Sequence, residues 1–271
     1  MKCAVTICLV PEARGGPFVY HEGLPDGCAR ASALGFDAVE IFPPSADAVS
    51  VEELQVLLKK HRLKVAAFGT GAGWLRQQLS LTSIDPSIRR KAVQFIRNMI
   101  DLAALFKAPA IIGSMQGRIE PGTERDIALT RLADGLRELS AHAKSKKQFL
   151  LYEPLNRYET NVFHRLEDTT LWLRANKLSN VKILADLFHM NIEESDLPNA
   201  IRAAGAAIGH VHFADSNRRA VGMGHTRMKP IIAALEEMNY RGYLSAEIFP
   251  FPDSEQAATQ TIKSFKRLTS H

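Results

Sequence analysis

Four ionisable side chains stand late in short apolar runs in the second half of the chain. Glu153 follows Phe149–Tyr152, Asp186 follows Val181–Ala185, His212 lies in Ile208–Phe213, and Glu247 lies in Tyr243–Ile248. A charge buried in such a run is costly unless it is paired or bound to a metal. Three carboxylates and one imidazole form a donor set for Mn²⁺, Co²⁺ or Mg²⁺ rather than for a thiolate-selecting metal. Brought together, the carboxylates would repel one another without a cation between them. A single acidic residue at a strand end is ordinarily a helix cap, but four matching positions in successive runs point to one shared task. His210 lies on the same side of its run as His212 by period two. His212, nearer the C-terminal end, is the better ligand, and His210 is as well explained as a satisfied core histidine.

The elements that must position these groups alternate along the whole chain. Eight apolar runs, Cys3–Leu9, Ala38–Phe42, Lys64–Phe68, Ala110–Gly113, Phe149–Tyr152, Val181–Ala185, Ile208–Phe213 and Tyr243–Ile248, read as parallel strands buried on both faces. Amphipathic stretches separate them: Gly27–Leu34 (weakened by Gly and Cys), Val51–His61, a helix opened by Asp85-Pro86, Glu124–Lys144, Glu167–Asn176, Pro198–Ala204, Lys229–Met238 and Glu255–Leu268. This pattern predicts an α/β protein, a single-domain (β/α)8 TIM barrel over residues 1–271, with its chemistry at the C-terminal strand ends. An open doubly wound sheet is disfavoured because no G-x-G-x-x-G turn follows the first strand. Gly69-Thr70-Gly71-Ala72-Gly73 lacks the Lys-Ser/Thr of a phosphate-binding loop.

Composition narrows the function. The 271 residues are 46% hydrophobic and 23% charged, as in a globular protein with a sizeable core. No apolar run approaches the roughly 20 residues of a membrane helix. The apolar N-terminal stretch stops at Pro11-Glu12 without a small-residue cleavage site, so a cytoplasmic location is the default expectation. Cys3, Cys8 and Cys28 have neither the number nor the spacing of a disulfide framework or zinc ribbon and are expected reduced. The net charge of +5 is spread over scattered basic residues and implies no nucleic-acid partner.

The segments Glu153-Pro154-Leu155-Asn156-Arg157-Tyr158-Glu159-Thr160-Asn161, Ala185 to Glu194 and His212 to Arg218, with Gly222-Met223-Gly224-His225 and the Glu247 strand, resemble the xylose isomerase-like TIM-barrel superfamily of sugar isomerases and epimerases. The likeness is to the ketose 3-epimerase and 5-keto-L-gluconate epimerase branches, over nearly the whole chain. It implies that Glu153, Asp186, His212 and Glu247 hold one divalent metal, Mn²⁺ before Co²⁺ or Mg²⁺. It further implies that Glu153 and Glu247 double as acid and base on opposite faces of a sugar, that His189 and Arg218 bind substrate oxygens, and that Glu159 orients the site. Such a site moves a proton α to a ketose carbonyl through an enediolate.

The resemblance implies a small-molecule sugar or keto-sugar acid as partner, and homo-oligomers are common in the superfamily. Gln116-Gly117-Arg118, Arg157 and Arg219 offer guanidinium groups suited to a carboxylate, the likeness of Gly69–Gly73 and Gly117-Arg118 to the keto-gluconate branch implies a keto-acid sugar as the favoured substrate, and Trp74, with Leu75 and Leu79, is a candidate cover for the mouth. A keto-inositol dehydratase or a hydroxypyruvate isomerase would begin with the same deprotonation. An abasic-site endonuclease of similar fold would need further histidines from the third and fourth strands, and none occurs between His61 and His142.

Overall fold

Val, Ile, Leu and Ala dominate the eight runs, and the structure buries both faces of nearly every one. The computed structural model describes residues 1–270. Strands β1 (Lys2–Cys8), β2 (Ala38–Phe42), β3 (Lys64–Gly69), β4 (Ala110–Ile112), β5 (Leu150–Tyr152), β6 (Val181–Asp186), β7 (Ile208–His212) and β8 (Tyr243–Ala246) form a closed parallel barrel in chain order. The seam pairs Lys2 with Tyr243 through Val5 with Ala246. The expected (β/α)8 barrel is therefore the fold.

Ten α-helices accompany the strands among the described residues: α1 (Gly23–Leu34), α2 (Val51–His61), α3 (Ala72–Gln77), α4 (Pro86–Leu105), α5 (Arg125–Ser145), α6 (Leu166–Ala175), α7 (Leu187–Glu193), α8 (Leu197–Ala204), α9 (Met228–Glu237) and α10 (Ser254–Thr269). The short helices α3 and α7 were not foreseen, because neither is long enough to show a period. Helix α4 buries Ala92, Ile96, Met99, Ile100 and Ala103, spaced three and four apart as an amphipathic helix requires. Asp85 caps it by accepting from the Ser87 N–H at 2.6 Å. Helix α1 begins four residues before the expected Gly27. A Cβ at Gly27 would lie 2.6 Å from Ile7 Cδ1, so the glycine that weakens local propensity is what lets α1 approach β1.

The main apolar core lies between strands and helices, and a smaller group fills the barrel itself. Ala4, Ala38 and Ala66 pack with Tyr243, and Ala67, Ile111, Leu151 and Leu184 form a further interior cluster. The interior also holds Thr6, Glu40, Glu153, Asp186, His210, His212 and Ser245, all buried. Among the described residues no helix is long and apolar enough to cross a membrane. All three cysteines are free and buried.

Enlarging Gly27 tests the α1–β1 contact. Gly27→Val is expected to lower unfolding free energy by about 1–3 kcal/mol, the usual cost of overpacking. Urea denaturation reads it, and unchanged stability would contradict the close approach.

Candidate metal centre and active site

The strand ends bring the four sequence-derived ligands together. Ligand atoms of Glu153, Asp186, His212 and Glu247 all lie within 4.8 Å of one another. Asp186 and His212 end β6 and β7, while Glu153 and Glu247 sit one residue past β5 and β8. His212 Nδ1 stands 3.2 Å from Asp186 Oδ2, 3.4 Å from Glu153 Oε1 and 3.5 Å from Glu247 Oε2. Asp186 also caps a helix: its Oδ1 accepts from the N–H groups of Phe188 (2.7 Å) and His189 (3.3 Å). One oxygen thus fixes the carboxylate at the start of α7, and the other faces the centre.

The electrostatics fit a divalent cation. Burial alone would depress the His212 pKa, yet Glu247, Glu40, Asp186 and Glu153 raise it well above its ordinary value. Burial, with help from Glu153 and Asp186 and against His212 and Arg218, pushes Glu247 up to about 7. Glu153 Oε1 is buried without a hydrogen-bond partner. An orphaned carboxylate oxygen in a cluster of three carboxylates and one imidazole nitrogen is a donor arrangement that a hard or borderline cation would satisfy.

His189, Arg218 and Glu159 line the same cavity as Glu153, His212 and Glu247. Asn156 donates through Nδ2 to His189 Nδ1 at 2.7 Å, with its Oδ1 accepting from the Tyr158 N–H. That places the His189 proton on Nε2, which is buried and has no hydrogen-bond partner in the protein. Arg218 donates through Nη2 to Glu247 Oε2 at 2.6 Å and approaches Glu159 Oε1 at 3.5 Å. Its backbone is left-handed, at φ +57°. The loop that imposes this turn is anchored by Asp215, whose carboxylate accepts from the N–H groups of Ser216, Gly222 and Thr226. Burial opposes ionisation of Asp215, but these backbone donors hold its pKa below the usual carboxylate value.

Two sequence-derived candidates are not brought to the cavity. Arg118 is exposed, with Nη1 3.4 Å from the carbonyl oxygens of Tyr158 and Glu159. Trp74 packs its ring against the barrel–helix core from α3, Leu79 is buried, and Leu75 faces solvent. The other arginines proposed for a carboxylate are also engaged elsewhere: Arg157 pairs with Glu193 and Arg219 lies over Phe251. Gln116 is structural, its amide donating to the carbonyls of Gly113 and Glu153 and accepting from the Tyr152 hydroxyl. Phe18 and Phe42, stacked with centroids 4.6 Å apart, instead supply aromatic surface to the cavity. The bare backbone at Gly69 and Gly71 packs against Phe42, which accounts for the glycines after β3 without a phosphate.

One buried residue escaped the sequence reading. Glu40, in the middle of β2, contacts His210 Nε2 at 2.7 Å and His212 Nε2 at 3.0 Å. Its carboxyl is held far below its usual pKa by these imidazoles despite burial. The run Ala38-Val39-Glu40-Ile41-Phe42 shows the same charge-in-an-apolar-strand signal as the four candidate ligands.

A closed parallel barrel with a cluster at its C-terminal mouth that could hold a cation has the architecture of the metal-dependent barrel enzymes. Residues 28–268 match the xylose isomerase-like TIM barrel family, and the chain belongs to it. It is 31% identical over 227 residues to D-psicose 3-epimerase of Enterocloster bolteae, covering 81% of this chain and 75% of that one. It is 30% identical to 3-dehydro-D-guloside 4-epimerase of Escherichia coli, covering 79% and 82%. Among solved structures, the E. coli 3-keto-D-glucoside 4-epimerase superposes with a TM-score of 0.82 at 22% identity, covering 98% of this chain and 99% of that one.

Two substitutions test the construction of the site. A Cβ at Gly113 would come within 2.5 Å of Glu153 Oε2, so Gly113→Ala should displace that carboxylate and weaken Mn²⁺ binding, read by calorimetry, without unfolding the barrel. Unaltered affinity would show that Glu153 does not need its present position. Asp215→Asn keeps the shape but weakens charge-assisted hydrogen bonds, at a cost of about 1.5–3 kcal/mol near neutral pH. Because the folded carboxyl titrates below the unfolded one, that difference should be full above about pH 4 and disappear as pH falls through the folded value. A difference that grows on acidification would contradict the assignment.

Proposed function

We propose that the protein is a metal-dependent ketose epimerase that inverts the carbon next to the carbonyl, C3 of a 2-ketose. The reading takes residues 1–271 as one catalytic domain with one divalent ion, Mn²⁺ in preference to Co²⁺ or Mg²⁺. The observation that carries it is the placement of Glu153 and Glu247, three strands apart round the barrel, on one cavity of about 170 Å³. That volume is below the roughly 300–1,000 Å³ of drug-sized sites and suits a monosaccharide. The likeness to D-psicose 3-epimerase supports a ketose, and the free buried thiols suit a reducing, cytoplasmic compartment.

Glu153, Asp186, His212 and Glu247 would hold the ion, which supplies Lewis-acid polarisation of the carbonyl. One glutamate removes the proton on C3 and the other returns a proton to the opposite face, their roles exchanging with the direction of reaction. Glu247, paired with Arg218 Nη2 at 2.6 Å, is held at the cavity to take part in that transfer. His189 Nε2–H donates to a substrate oxygen, with Asn156 keeping the imidazole in the tautomer that can do so. Arg218 orients Glu247 and offsets negative charge developing on the substrate. Phe18 and Phe42 form the apolar wall that limits water near the reacting carbon.

No arginine other than Arg218 lines the cavity, and Arg218 is already paired with Glu247. We therefore favour neutral ketoses over the keto-acid sugars that Arg118 had suggested. Purified protein reloaded with Mn²⁺ after chelation should convert D-psicose or another ketose to its C3 epimer, identified by ¹³C NMR. Glu153→Gln and Glu247→Gln should each lower kcat by about 10²–10⁴. An aldose or dehydrated product, or turnover confined to keto-acids, would overturn the reading.

A further inference from the structure

We infer that Glu40 is a positioning residue for the metal centre: its carboxylate holds the Nε2 proton of His212 and so leaves Nδ1 bare toward the ion. The inference rests on the proposed ligand role of His212, but not on the identity of the sugar. His212 turns Nδ1 to Glu153, Asp186 and Glu247 and Nε2 to Glu40 Oε1, 3.0 Å away. A neutral imidazole has one N–H, and a ligand nitrogen must present its lone pair. The atom that accepts from Nε2 therefore decides whether His212 can bind an ion through Nδ1.

Glu40 is itself held in place. Its second oxygen accepts from His210 Nε2 at 2.7 Å, and all three residues are buried. The His210 and His212 rings are nearly perpendicular, at 85°, so the carboxylate bridges two imidazole edges. This gives His210 a task as well: it fixes the carboxylate that fixes the ligand. Outer carboxylates that accept from ligating histidines commonly set ring orientation and raise ligand basicity.

Glu40, His210 and His212 are also close enough to be considered a second cation site. The geometry argues for the hydrogen-bonded alternative. Each imidazole nitrogen faces its own Glu40 oxygen at hydrogen-bond distance, 2.7 Å for His210 and 3.0 Å for His212, so the carboxylate is already satisfied by two N–H donors. His212 would also have to bridge two ions through one ring.

Calorimetric titration of chelator-stripped protein with Mn²⁺ decides between these arrangements, without any sugar. The proposal expects one ion per chain in the wild type. It expects Kd to rise about 10–100-fold in Glu40→Gln, and further in Glu40→Leu, which offers no acceptor. His210→Asn should keep one ion per chain with a smaller loss of affinity. Glu40→Gln is close in shape to the natural residue, so it remains informative if Glu40→Leu does not fold, and circular dichroism checks both. Unchanged Kd in Glu40→Gln would overturn the proposal, as would two ions in the wild type with one lost in His210→Asn. Weakened binding in a protein that turns over no ketose would support the role of Glu40 while contradicting the proposed substrate.

Discussion

The structure depends on crowding carboxylates into a barrel mouth where they cannot share space without positive charge. Glu40, Glu153, Asp186 and Glu247 are buried or nearly so around His212, and Arg218 lies against two of them. Like charges this close are unfavourable in a low-dielectric interior. The surrounding architecture answers that repulsion: His212 has its pKa raised, Glu247 is pushed toward neutrality, and the donor set suits a divalent cation.

Neighbouring groups hold each member of the cluster in one orientation. Asp186 divides its oxygens between the start of α7 and the centre. Asn156 selects the tautomer of His189, and the Asp215 loop turns Arg218 through a left-handed conformation toward Glu247. Removing one of these supports leaves a buried polar atom without its partner, the expensive error in such a network. Bare backbone matters equally, since Gly113 gives Glu153 room that no other residue allows.

The barrel was legible in the sequence because its strands are short, apolar and separated by periodic helices. Strand ends shifted by a residue or two: pairing stops before the apolar run in β1, β4, β7 and β8, and continues one residue past it, to Gly69 and Asp186, in β3 and β6. The metal-ligand candidates were readable because a charge late in an apolar strand is rare, and the shared position of four of them suggested a common site. Glu40 carries the same signal in mid-strand, but its partners His210 and His212 are 170 and 172 residues away. Helices α3 and α7 are too short to show a period. Arg118 and Trp74 show the limit of reasoning from residue type: Arg118, in the segment after β4, is drawn to backbone carbonyls, and Trp74, on the short helix α3 after β3, is drawn to the core. Phe18 and Phe42, which wall the cavity, look in sequence like ordinary loop and strand aromatics.

In the proposed reaction two separate glutamates, Glu153 and Glu247, serve the two faces of one carbon. The most direct test is the reaction with a ketose in D₂O, followed by NMR at early conversion. One ionised glutamate that takes the C3 proton and a second that delivers a solvent-derived one predict deuterium at C3 of the product while the remaining substrate stays unlabelled. Label entering recovered substrate as fast as product would indicate one exchanging base. Product without solvent deuterium at C3 would contradict the account outright.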